Sequence, residues 1–158
     1  MTILNQPSPP IPYESAVLRL EAFLPYRLSV LSNTVSRGVS RAYAKYGLSV
    51  HQWRVMAVLG RFPGVPASEV VRRTAMDKVR VSRAVASLVD AAQVERSVDS
   101  DDRRRSMLRL SPQGHEIYRQ VIPAALSYEK RLLAALSADE QRYLDGILAR
   151  LAAQAEAL

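Results

Sequence analysis

Residues 94–114 read VERSVDSDDRRRSMLRLSPQG. Two short β-prone runs, Val94 to Val98 and Ser106 to Leu110, flank a charged centre. There three acids, Asp99, Asp101 and Asp102, meet three bases, Arg103, Arg104 and Arg105. Two β-prone runs joined by a polar tip predict a β-hairpin. Immediately after it, Ser111 and Pro112 form an N-cap followed by proline at the first helical position, so a helix starts there.

Working back from the hairpin, the pattern becomes helical. Asp77 is placed to cap a helix over residues 78–91. Val81, Val85 and Leu88 fall on one face of it and belong to the core. Val79, Arg83 and Ala86 lie opposite, with Arg80, Ser82 and Ser87 on the flanks. A short helix fits residues 67–74. Before it, Ser49 and Gln52 have capping-box spacing, and the helix they open ends at Pro63 and Gly64. From Ser15 to Tyr46 apolar residues recur at three- and four-residue steps, with Pro25 expected to kink or divide the helix and Gly47 to end it.

Forward of the hairpin, a helix runs from Pro112 towards Leu136, with a kink expected near Pro123. Ser137 and Glu140 form a second capping box. The last helix carries Leu144, Ile147, Leu148, Leu151 and Ala155 on one stripe, which asks for a partner. The expected organisation is a proline-rich arm over residues 1–14, long helices over 15–46 and 111–158, and a compact domain over 47–110 between them. The fold class is mainly α with a small β-hairpin. Two short helices joined by a tight turn and followed by a two-stranded ribbon give the layout of a winged helix-turn-helix with long N- and C-terminal helices.

Charge agrees with that layout. The chain of 158 residues has a formal net charge of +7, and an excess of Arg and Lys favours polyanionic partners. Lys78, Arg80 and Arg83 sit where the helix over 78–91 would enter a major groove, with Ser82 beside them and Val79 able to touch a thymine methyl. Arg72 and Arg73, at the end of the preceding helix, are within reach of phosphate. Arg103 and Arg105 fit either phosphate contact or plain solvation. Asp102 would be repelled by phosphate, so it either pairs with a wing arginine and fixes its direction or simply forms the turn. Asp99 and Asp101 have no role beyond the turn.

Other chemistries find little support. There is no Cys, which removes thiolate metal sites and cysteine nucleophiles and fits the cytoplasm. The two histidines, His51 and His115, lack metal-ligand spacing. No acid/base pair, nucleophile arrangement or phosphate-cradling loop is present, so no enzyme, metal or cofactor is expected. No run is long enough to cross a bilayer, and residues 1–15 lack the pattern of a secretory signal.

The stretches SVHQWRVMAVLGRFPG, MDKVRVSRAVASLVDAAQVERS and, above all, DDRRRSMLRLSPQG resemble the MarR family of bacterial transcription regulators. Asp102, Arg104, Leu110, Ser111 and Gly114 occupy the places of that family's wing motif. The resemblance implies a homodimer on double-stranded DNA, with 15–46 and 111–158 as dimerisation helices, 47–110 as the DNA-binding domain, a pseudo-palindromic site and Arg104 entering a minor groove. It also implies a small-molecule effector bound between the dimer helices and the winged domain. Here Phe23, Tyr26, Arg27, Ser29, Asn33, Trp53 and Met56 would line that region, and each is equally explained by core packing. Aromatic walls and an arginine suit a small aromatic acid or its acyl-CoA thioester, and LPYRLSVLSNTVSR and HQWRVMAVL are similar to branches controlling aromatic acid catabolism. The resulting expectation is a ligand-responsive repressor. An architectural or nonspecific DNA-binding protein without effector is the alternative. The chain has Ala92 where the family commonly has Gly, and Pro66 where it often has a Ser or Thr cap.

Overall fold

In the computed structural model, residues 18–98 and 106–158 are described. The proline-rich arm and the wing-tip residues Asp99, Asp101, Asp102, Arg103, Arg104 and Arg105 lie outside them. The chain divides into two compact units, residues 1–50 and 51–158.

In the first unit the long helix is α1, Leu24–Ser40, followed by a 3-10 turn, Ala44–Tyr46. This corrects the expectation of helix from residue 15 to 46. Pro25 occupies the first turn of α1 and starts the helix instead of kinking it. Its missing N–H costs nothing there, because first-turn amides have no helical partner. Gly47 ends the 3-10 turn at φ 69, as its position predicts.

The second unit opens with α2, Val50–Arg61, which begins directly after Ser49. Gly64, at φ 72, turns the chain into β1, Val65–Pro66. Then follow α3, Ala67–Thr74, α4, Lys78–Asp90, β2, Val94–Val98, and β3, Ser106–Leu110. Two long helices complete it: α5, Pro112–Leu133, and α6, Ala138–Ala157. The ribbon is part of a three-stranded antiparallel sheet in the order β1-β3-β2, where two strands were expected. Val65 pairs with Leu108 and Pro66 with Met107. A proline is tolerated because β1 is an edge strand.

The caps behave as their side chains dictate. Asp77 accepts from the Arg80 amide at 2.8 Å. Ser111 accepts from the Gly114 amide at 2.9 Å, and both arms of the Ser137–Glu140 box are made. Pro66 caps α3 with no side-chain hydrogen bond. Pro123 stands inside α5, which continues to Leu133, short of the expected Leu136.

The core of this unit joins α2 (Val55, Met56, Leu59), α4 (Val81, Ala84, Val85, Leu88) and the strands (Val94, Leu108, Leu110). By contrast α6 buries no residue, and Tyr143, Ile147, Leu148 and Leu151 are exposed along it.

Ala92 closes the turn between α4 and β2 at φ 55. That left-handed conformation crowds a Cβ against its own carbonyl at a cost of about 1 kcal/mol. Ala92→Gly should therefore raise unfolding stability by about 1 kcal/mol and Tm by roughly 2–4 °C in a thermal melt. An unchanged or lower Tm would show that the turn carries no such strain.

Candidate nucleic-acid interface

The α4 helix has two faces of opposite character. Val81, Val85 and Leu88 are 1%, 2% and 0% exposed, and they fix its rotation. Lys78, Val79, Arg80, Ser82, Arg83, Ala86 and Ser87 are all exposed. Every candidate on this helix thus reaches solvent, and Val79 is held there at 58% exposure against its hydrophobic preference. Arg80 is tied back by Asp77, Nε to Oδ2 at 3.2 Å. The Asp77 carboxyl lies below its ordinary pKa, chiefly because it accepts the Arg80 amide. The side chains of Lys78 and Arg83 have no ion-pair partner among the described residues. Gln52 on α2 donates to Ser87 Oγ at 2.8 Å, which braces the far end of the helix.

The strands add a residue that the sequence reading passed over. Val94, Arg96 and Val98 share one face of β2, opposite Leu110, Leu108 and Ser106 of β3. At the base that face is core. Further out it opens into a cleft of about 380 Å³ against α3 and α4. Arg96, Lys78, Ser68, Ser82 and Ser106 are its polar lining, over Val71, Val81, Val85 and Leu108. The period-two alternation from Val94 was the signal that could have placed Arg96 there. On the other face Glu95 and Arg109 pair across the strands at 3.1 Å.

Arg72 and Arg73, expected within reach of phosphate, both pair with Glu69. Arg72 donates to Glu69 twice, Nε to Oε2 at 2.9 Å and Nη2 to Oε1 at 2.5 Å. Arg73 Nε donates to the same Oε1 at 2.6 Å. The Arg73 guanidinium also lies 3.6 Å from the Phe62 ring centroid. The Arg72 hydrogen bond first, and Arg73 after it, bring the Glu69 carboxyl from the usual 4.5 to about 2. A carboxyl depressed in the folded state contributes fully above its ordinary pKa and loses that contribution as pH falls towards 2, so the clamp is intact at neutral pH.

The candidates for effector contact fall in both units. Phe23, at the N-cap of α1, is exposed, as are Arg27, Ser29 and Asn33 on that helix, and Tyr26 is half-buried. On α2, Met56 is fully buried in the core, while Trp53 is half-buried and stacks on Tyr118 of α5, centroids 5.9 Å apart. Tyr118 lies so close over Gly60 that a Cβ there would stand 2.4 Å from the ring.

The described residues contain no group of three or more His, Cys, Asp or Glu able to hold a metal ion, and no helix long and apolar enough to cross a membrane.

The sequence profile of the MarR family matches residues 46–105, which span α2 to the wing tip. A probable transcriptional regulator from Pseudomonas aeruginosa is 32% identical, with 84% of this chain and 99% of that one covered and a TM-score of 0.73. The chain belongs to the MarR family. MarR-family proteins are transcriptional regulators that bind DNA, so the exposed face of α4 belongs to a DNA-binding fold. A MarR/EmrR family regulator from Acinetobacter sp. ADP1 is 25% identical, covering 89% of this chain and all of its own, with a TM-score of 0.82. The PcaV regulator of Streptomyces coelicolor, solved with its natural ligand, shares the fold at 23% identity and a TM-score of 0.74, over 89% of this chain and 99% of its own.

Proposed function

We propose that this chain is a sequence-specific repressor that acts as a homodimer on a pseudo-palindromic operator and is released by a small aromatic acid or its CoA thioester. The observation that carries the DNA part is the rotation of α4. Its apolar face is locked into the core, so Lys78, Val79, Arg80, Ser82 and Arg83 face outward together. A helix held this way can enter a major groove without rearrangement. Arg103, Arg104 and Arg105, with Asp102 to direct one of them, are assigned to the same DNA contact from the sequence. The exposed apolar residues of α6 support the dimer, since a monomer would leave them in water. Two-fold symmetry then spaces the half-sites about one helical turn apart.

The effector part rests on Trp53, half-buried and stacked on Tyr118, as one wall of an aromatic site. A bound acid that fits one arrangement of the dimer better than the DNA-competent one draws the population away from DNA.

The test is a salt titration of binding to duplexes selected from a random pool and to unselected duplexes. A specific regulator holds the selected duplex about a thousandfold or more tighter. Equal affinities would establish an architectural protein instead. For the effector, salicylate, 4-hydroxybenzoate and benzoyl-CoA are added to the complex. At least one is expected to release DNA and raise Tm, and failure of all three removes the aromatic-acid reading.

A further inference from the structure

We propose that Glu69 is a specificity-determining residue: by holding Arg72 and Arg73 it keeps two cations per protomer away from DNA phosphate. The inference rests on the DNA-binding reading of α4. One carboxylate takes three hydrogen bonds from two guanidinia, at 2.5, 2.6 and 2.9 Å. Arg73 is held a second time, face-on over Phe62 at 3.6 Å. An exposed helical ion pair contributes only tenths of a kcal/mol to folding, so stability alone is a weak reason for the arrangement.

Its effect on the electrostatics is larger. The side chains concerned end α3, and only the turn Ala75–Asp77 separates α3 from the first residue of α4. Charges beside a DNA-facing helix act on phosphate over a screening length of about 10 Å at 0.1 M salt. Nonspecific affinity for DNA grows with the number of cations available to phosphate. A regulator must find one site among many, so cations that read no sequence lower its discrimination. Glu69 neutralises one of the two charges and engages Nε and Nη2 of Arg72 and Nε of Arg73.

The experiment compares the wild-type chain with Glu69→Gln and with the triple variant Glu69→Gln/Arg72→Ala/Arg73→Ala. Each is titrated with salt on the selected duplex and on an unselected duplex of equal length. Glu69→Gln is expected to bind unselected DNA about tenfold tighter at 0.1 M salt. Its plot of log affinity against log salt steepens by up to about 1.8 per protomer, for two added phosphate contacts. The ratio of selected to unselected affinity falls accordingly. The triple variant returns the slope to the wild-type value or below, as a purely structural role of Glu69 would not require. An unchanged slope in a folded Glu69→Gln protein overturns the proposal, as does a steeper slope that persists in the triple variant. If the wild-type chain itself shows no preference for the selected duplex, it is the regulator reading that fails.

Discussion

Arg83→Ala lowers affinity for the selected duplex by about ten- to a hundredfold per half-site while changing affinity for unselected DNA far less. The expectation follows from side-chain chemistry and position. Arg83 is exposed on the α4 face opposite the core, with no side-chain partner among the described residues. Its planar guanidinium can take both acceptors of a guanine edge at once. Lys78, the first residue of α4, is a point charge with no such geometry. Lys78→Ala should weaken both DNAs alike and flatten the salt slope by about one per half-site. Neither change touches the buried face, so Tm and dimerisation stay as in the wild type. Equal losses on both DNAs for Arg83→Ala would move it into the phosphate-contact class, and no loss would remove it from the interface.

The division of α4 into buried and exposed faces was legible because helical period and polarity agree at every turn. Val81, Val85 and Leu88 are buried, and each polar candidate is outside. The strand pair and the capped starts of α4, α5 and α6 were legible for a similar reason, since each has a residue whose side chain satisfies a particular backbone group. What escaped was set by contacts between elements or by too short a signal. β1 has two residues, one of them proline, and exists only because β3 offers it an edge. Pro25 has apolar residues at helical spacing on both sides, so periodicity did not separate a helix start from a kink. Arg72 and Arg73 were counted as cations, although Glu69 stands three and four residues before them, which is the spacing of helical ion pairs. Arg96 was passed over, and the strand register puts it on the face shared with Val94.

Gly114→Ala should destabilise the protein by about 3 kcal/mol, lowering Tm by roughly 6–12 °C, although helix propensity argues for the opposite sign. Gly114 is the third residue of α5, and in a helix Ala is favoured over Gly by about 1 kcal/mol. Tertiary packing reverses that preference. A Cβ on Gly114 would stand 2.0 Å from the Gln93 carbonyl oxygen, and backbone cannot swing aside as a side chain can. That carbonyl is fixed because it accepts the Ser111 amide at 3.1 Å, while Ser111 Oγ donates to the Ala92 carbonyl at 2.6 Å and caps Gly114. One serine and one glycine thus join the end of α4, the end of β3 and the start of α5. Within the chain, Gly146 of α6 has open space where its Cβ would go, so Ala there keeps the propensity gain. Thermal melts of the two alanine variants separate the contributions. A Gly114→Ala protein as stable as the wild type would show that α5 can leave Gln93 at little cost. Ser111→Ala removes the cap and the tie to Ala92 without adding an atom, and should cost about 1–2 kcal/mol. A larger loss for Gly114→Ala than for Ser111→Ala means that close approach of backbone, more than hydrogen bonding, holds the recognition helix to the long helix that follows the wing.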